Sequence, residues 1–422
     1  MENINLEFLG GAGEIGGENC LMINAGNNSI MIDRGQKVGK KKSKLIIPEK
    51  LTALLLTHGH LDHCGLVPDL YKALEGNFKC FMSFPTYEFA KGHWASRHAF
   101  GIASKLSQEA LYDILTNINQ INNGDEFLID DIKVKAISVG HILGSIGYHL
   151  TIGNKKVFIT GDFSMDDTQN PLVEKFDTSF LANNVDILIV NATYAGVELS
   201  KLNNETKRFG DDICKFIDEK RQILIPVFSI DRAQKIYYIL RELGLEKYIY
   251  VDGGAKNWFD TYNCYGEVSL KGAEKRFISN DSRDNNYRKN VECLKPLIVI
   301  APAGMLLKGS ASHRWSKMML KNENSAILLT GYQEPGTFGG RLLKAYEVEE
   351  NIDGVEIMPI VKKYSFSGHA RSEEIADLIR LCNPNITFYS HCNPTNVKSF
   401  LQKNLDLPGA QIIAESNHVY DI

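Results

Sequence analysis

No run of about 18 apolar residues occurs in this chain, so no membrane span is expected. The Met1 start carries no basic segment leading into an apolar stretch, and no signal peptide is expected either. The eight cysteines, at positions 20, 64, 80, 214, 264, 293, 382 and 392, form no C-x-x-C pair, which argues against a zinc finger or a thioredoxin-like motif. Free buried thiols in a reducing cytoplasm are the expectation. An excess of positive charge is also missing: 47 basic against 51 acidic residues leave a net charge of −4. The protein as a whole is therefore not a basic nucleic-acid binder, and any nucleic acid must use a local patch. Internal repeats and low-complexity linkers are absent. What remains is ordinary globular material, 44% hydrophobic and 23% charged over 422 residues, long enough for about two or three domains.

The first third reads as short strands at Ile4–Leu9, Leu21–Asn24 and Ile30–Asp33, separated by Gly and Asn turns. Leu51–Thr57 is a continuous apolar run, as expected of a buried strand. Residues 86–122 read as mainly helical, and strands return at 134–138, 148–152, 156–160 and 185–190. From about residue 205 helix alternates with buried strand, the pattern of a parallel, Rossmann-like α/β unit. The pattern changes near 200 and again near 355, which points to one domain inserted into another.

Gly11-Ala-Gly13-Glu-Ile-Gly16 matches G-x-G-x-x-G, but a dinucleotide site needs a helix after the glycines. Here the following residues read as a second strand, so a glycine-rich hairpin loop near a site is expected instead. The chemistry points to another stretch, "LLLTHGHLDHCG", where His58, His60, Asp62 and His63 fall within six positions. Imidazoles and carboxylates in that density suit zinc, with manganese or iron also compatible. Further candidates close apolar strands: Asp33 in "SIMIDRG", His141 in "SVGHILGS", Asp162 in "VFITGDFS" and His391 in "ITFYSHC". A buried carboxylate at a strand end needs a partner, and a metal supplies one. Together these residues offer enough ligands for two ions.

These motifs together resemble the metallo-β-lactamase-fold nucleases of the β-CASP family. "THGHLDHCG", "GHILGS" and "TGDFS" are similar to motifs of the core. "IPVFSIDRAQKIYYIL", "APAGMLLKGSA" and "LLTGYQEPGTFGGRLL" resemble the inserted β-CASP domain, and "FSGHARSEEI" resembles motif B. The opening "LGGAGEIGGENC" is similar to the ribonuclease J branch. The resemblance implies an α/β fold: a four-layer αββα core at 1–200 and 356–422, with a Rossmann-like β-CASP domain inserted at 201–355. It implies a first zinc ion on His58, His60 and His141, a second on Asp62, His63 and His391, and Asp162 bridging, with Mn²⁺ as a substitute. Asp33 would orient a ligand histidine from behind. His369 would act on the scissile phosphate, and Ser367 and the Gly368 backbone would contact the neighbouring phosphate. The expected activity is two-metal hydrolysis of single-stranded RNA in the cytoplasm, by endonuclease cutting with 5′-to-3′ exonuclease trimming. A homodimer or partner subunit would assist binding.

One position departs from the family. Its motif A begins with an acid that pairs with the motif B histidine; here "NATYAG" places Asn191 there. A carbonyl acceptor remains and the charge does not, which leaves His369 a weaker acid. Two rival readings follow: a catalytically weak or silent RNA-binding scaffold, and a DNA nuclease of the same fold. The lysines at 37, 40, 41, 42 and 44 form a basic run, read as a solvated loop or as a track for a nucleic-acid backbone. Arg232 and Arg341 are expected in structural ion pairs or on phosphates. His93, His98, His149, His313 and His418 have no motif context.

Overall fold

The computed structural model describes residues 3–37, 46–96, 107–165, 171–278 and 285–422. The chain forms two compact units: Met1–Asp167 with Val173–Glu198 and Gly368–Ile422, and Thr168–Leu172 with Leu199–Ser367. The strands in chain order begin with β1 (Ile4–Gly10), β2 (Cys20–Ala25), β3 (Asn28–Ile32), β4 (Ala53–Leu55), β5 (Lys79–Ser83) and β6 (Ile118–Ile121). Next come β7 (Glu126–Ile129), β8 (Ile132–Ser138), β9 (Ile146–Ile152), β10 (Lys155–Ile159) and β11 (Ile187–Asn191). The second unit contributes β12 (Gln222–Pro226), β13 (Ile249–Val251), β14 (Leu297–Ala301), β15 (Ser325–Leu329) and β16 (Ile360–Lys363). The chain then returns to the first unit with β17 (Ile386–Ser390), β18 (Ala410–Ile413) and β19 (Val419–Asp421).

In the first unit, one seven-stranded sheet runs β19-β1-β2-β3-β4-β5-β6 and another runs β18-β17-β11-β10-β9-β8-β7. The period-2 alternation of a strand explains the layering. In β2, Leu21, Ile23 and Ala25 join the core between the sheets. Cys20 and Met22 point the other way, into a core shared with Val67, Leu70, Ala90 and Trp94 of the flanking helices. In β11, Ile187 and Ile189 face the other sheet. Leu188 and Val190 pack instead with Ile375, Ile379, Val397 and Phe400 of the helices Ser372–Cys382 and Pro394–Lys403. Helix, sheet, sheet, helix is thus the order of layers, the αββα arrangement.

The second unit is a parallel five-stranded sheet in the order β13-β14-β12-β15-β16. It extends past the expected boundary at 355. The strand Ile360–Lys363 pairs in parallel with β15, and such pairing ties residues 356–367 to the second unit. Expectation also fails at residues 118–121. These four residues form strand β6 beside β5 and do not continue the helix, which ends at Thr116 with Asn117 at its C-terminus. The glycine-rich stretch is a loop joining antiparallel β1 and β2, with no helix after it, so the dinucleotide motif is excluded. All eight thiols are free; Cys214, Cys264 and Cys293 are exposed and the other five are buried. Among the described residues no helix is long and apolar enough to cross a membrane.

Candidate metal centre

Asp33 follows β3, Thr57 and His58 follow β4, and Asp162 follows β10; Asn191 ends β11 and His391 follows β17. Both β4 and β10 run parallel to a neighbour in the set, so their carboxyl ends deliver side chains to one edge of the unit. Asp162 reaches this edge through Gly161, whose φ of 58 is tolerated by glycine and whose Cβ would meet Thr57. Asp33 and His391 hold φ values of 60 and 49, uncommon for side-chain-bearing residues and typical of functional sites. His60, Asp62 and His63 lie on or just before the short helix Leu61–Cys64. Ligating atoms of His58, His60, His141 and Asp162 lie within 4.8 Å of one another, as do those of Asp62, His63 and His391. Asp162, His369 and His391 form a third such group.

Hydrogen bonds behind these residues fix the ring tautomers. The Thr57 hydroxyl donates to Asp33 Oδ2 at 2.7 Å, so it accepts from His58 Nδ1 at 3.0 Å. His63 Nδ1 donates to Asp33 Oδ2 at 2.6 Å. His141 Nδ1 donates to the Gly368 carbonyl at 2.7 Å. A neutral imidazole with its proton on Nδ1 has a bare lone pair on Nε2. The Nε2 atoms of His58, His63 and His141 lie 3.6, 3.4 and 3.5 Å from Asp162 Oδ2. With Nδ1 committed behind, Nε2 of each ring is the atom left to take either a proton shared with Asp162 or a metal ion. His60 Nδ1 adds to the crowding, 3.0 Å from His58 Nε2 and 3.2 Å from His141 Nε2. Nitrogen and carboxylate donors with tautomers set from behind fit a divalent metal ion.

Protonation follows the same logic. Burial, reinforced by the neighbouring rings, holds His58 well below its ordinary range and lowers His60 to about 3. Burial opposes charge on His63 and His391 as well, but Asp162 and the other carboxylates outweigh it. Asp162 and Asp33 hold His63 well above its ordinary value, and Asp162 and Asp62 raise His391 to about 9. Burial works against the Asp162 carboxylate too, yet His369, His391 and His63 hold it well below the usual range.

His369, a quarter exposed, has Nδ1 3.6 Å from Asp162 Oδ2 and 3.4 Å from the Thr193 hydroxyl. Gly368 packs so closely that a Cβ would stand 3.2 Å from His141 Nδ1. The expected pairing of the Asn191 carbonyl with His369 is corrected. That carbonyl accepts from Ser390 Oγ at 2.9 Å, and the amide donates to Asp162 Oδ1 at 2.9 Å. Ser367 falls in the second unit.

Several site residues were not singled out from the sequence: Thr57, Thr193 and Asn19. Thr193 Oγ1 lies 3.0 Å from His391 Nδ1, and Asn19 Nδ2 lies 3.0 Å from His63 Nε2. Gly16 N donates to His391 Nε2 at 3.1 Å, and Gly11 O accepts from His391 N at 2.7 Å. Their signal was position, beside a ligand or inside a quoted motif. Lys37 pairs with Glu14 at 2.5 Å; Lys40, Lys41, Lys42 and Lys44 lie outside the described residues, as does His98. Arg232 is buried on the Thr330 carbonyl, and Arg341 pairs with Asp353 at 2.6 Å. His93, His149, His313 and His418 are in none of the three ligand groups.

Sandwich and site together define a metal-dependent hydrolase of the metallo-β-lactamase type. Residues 13–174 match the Metallo-beta-lactamase superfamily and residues 233–342 match the Beta-Casp domain. The chain belongs to the β-CASP family of metallo-β-lactamase-fold nucleases. It is 27% identical to "Probable RNase MJ4" of Methanocaldococcus jannaschii, over 91% of this chain and 92% of that protein. It is 24% identical to "Integrator complex subunit 11" of Danio rerio, over 93% of this chain and 69% of that protein. The crystal structure of a protein of unknown function from Enterococcus faecalis V583 shares the fold. That match has a TM-score of 0.66, 13% identity and full coverage of both chains.

Proposed function

We propose that this chain hydrolyses phosphodiester bonds of single-stranded RNA with two zinc ions, manganese being an exchangeable substitute. The carrying observation is the convergence of three ring nitrogens, Nε2 of His58, His63 and His141, on Asp162 Oδ2 at 3.4–3.6 Å. His58, His60 and His141 would hold one ion, Asp62, His63 and His391 the other, and Asp162 both. Bound ions of this kind supply a nucleophile at neutral pH and offset the charge developing on phosphorus. The protein's own side chains do the rest. Asp33 and Thr57 keep the rings of His63 and His58 turned with Nε2 inward. His369, the motif B histidine, stands beside Asp162 and would donate a proton or a hydrogen bond to the phosphate or its leaving oxygen. Ser367 and Gly368 would contact the adjoining phosphate.

RNA as substrate is supported by the ribonuclease named among the relatives. A relative named as a subunit of a complex supports a partner protein or a dimer as an aid to binding. A second reading, a silent scaffold, draws on Asn191, which stands where the family's acid would be. Metal-loaded protein incubated with end-labelled single-stranded RNA and DNA of one sequence decides. RNA cleaved faster than DNA, and cleavage stopped by chelator, is the expected result. RNA bound without cleavage at any metal loading would leave the scaffold, and DNA cut as well as RNA would leave the DNA nuclease.

A further inference from the structure

Asn191 sits at a junction of three strands. In its sheet, β11 lies between β10 and β17, and the parallel register places Asn191 opposite Ser390. Its backbone N donates to Thr160 Oγ1 at 3.1 Å, its Oδ1 accepts from Ser390 Oγ at 2.9 Å, and its Nδ2 donates to Asp162 Oδ1 at 2.9 Å. The amide orientation follows from chemistry: turned over, its carbonyl would face the carboxylate oxygen, acceptor against acceptor. The side chain is therefore held at both ends, by Ser390 on one side and Asp162 on the other.

We infer that Asn191 is a positioning residue for Asp162, setting the carboxylate before the metal arrives, and that it does not act through His369. The inference rests on the metal-centre reading above. With Oδ1 tied to Asn191 and 3.2 Å from His391 Nδ1, the plane of the carboxylate is fixed. Oδ2 is left as the atom ringed by His58, His63, His141 and His369 nitrogens at 3.4–3.6 Å. An amide suits this place because it donates and carries no charge. An aspartate here would set two carboxylate oxygens against each other at hydrogen-bonding distance. The neutral side chain is thus a fitted part of the site, not a remnant of a lost acid.

The test uses metal binding alone, without RNA. Zinc affinity is measured by chelator competition, and the visible spectrum is recorded after cobalt(II) substitution, for the wild type, Asn191→Ala and Ser390→Ala. Outer hydrogen-bond partners of metal ligands typically contribute about 10–100-fold in metal affinity. Asn191→Ala is expected to lose zinc affinity in that range and to change the cobalt spectrum, with Ser390→Ala shifting both less and in the same direction. Melting curves of the chelated proteins show whether each variant folds; if Asn191→Ala does not, Ser390→Ala decides. Affinities within about twofold of wild type, with unchanged spectra, would overturn the assignment. A wild type that binds zinc and cuts no RNA would refute the ribonuclease reading and leave this one standing.

Discussion

His63 Nδ1 lies 2.6 Å from Asp33 Oδ2, and the same oxygen accepts the Thr57 hydroxyl at 2.7 Å. One carboxylate therefore aims two candidate ligand rings, that of His63 directly and that of His58 through Thr57. Asp33→Ala frees both rings without touching a ligand atom. The expected outcome is a zinc affinity lower by about 10–100-fold, read by chelator competition, with the fold retained. Unchanged affinity would remove Asp33 from the metal centre.

Removal of a ligand is more severe. His60→Ala and Asp162→Ala each take away a member of the first ligand group. Both are expected to reduce bound metal by elemental analysis and to abolish cleavage. Chelation of the wild type should lower its melting temperature, since an ion at 100 times its dissociation constant contributes about 2.7 kcal/mol of stability. Full metal content in both variants would show the ligand assignment to be wrong.

Three of the candidate ligands were legible because they stand where an apolar run stops: "LLLT" before His58, "VFITG" before Asp162, "ITFYS" before His391. Such runs make buried strands, and polar residues at their ends gather at one edge of a sandwich. The partners behind them were not legible. Which atom of Thr193 or Asn19 reaches a ring nitrogen depends on how two sheets register, and nothing local encodes it. Strand β6 was missed because "INQI" is short and follows a helix without a Gly or Pro break. The boundary at 355 was misplaced because "IVKK" carries no inward alternation, yet it completes the edge of a parallel sheet.

In the second unit, Asp252 holds the ends of several elements. It accepts from both Arg288 terminal nitrogens at 2.8 and 3.1 Å, from Arg314 at 2.6 Å, from Trp315 Nε1 at 2.8 Å and from Gly253 N. Burial opposes its charge, but Arg288, Trp315 and Arg314 outweigh that and hold the carboxyl below its usual value. Asp252→Ala leaves the buried Trp315 donor without its acceptor and removes the carboxylate that Arg288 and Arg314 share, and should cost about 3 kcal/mol in denaturant unfolding. A depressed folded pKa stabilises above the unfolded value of about 3.9 and is lost as pH falls through the folded one. The gap between wild type and Asp252→Asn should therefore be full at neutral pH and shrink below about pH 4. A gap that is flat with pH would mean the charge of Asp252 is not what stabilises the unit.

Replacing Asn191 by the acid that the family carries there tests which residue it serves. Were it the support of His369, Asn191→Asp would speed cleavage, and the gain would vanish in a His369→Ala background. The geometry points the other way. The amide at 191 is bonded to Asp162 at 2.9 Å, while His369 Nδ1 lies 3.4 Å from the Thr193 hydroxyl and 3.6 Å from Asp162 Oδ2. Asn191→Asp removes a donor from Asp162 and sets a second carboxylate against it, so cleavage should fall, on the order of 10–100-fold. His369→Ala should lower cleavage through a separate role, by about 10²–10⁴-fold if the ring transfers a proton. Both side chains adjoin Asp162, so the two losses are coupled and the double variant should not show their simple product; the sign of the Asn191→Asp effect is what separates the readings. A rate gain in Asn191→Asp that depends on His369 would show the two residues to be a working pair and would displace Asp162 as the group that Asn191 serves.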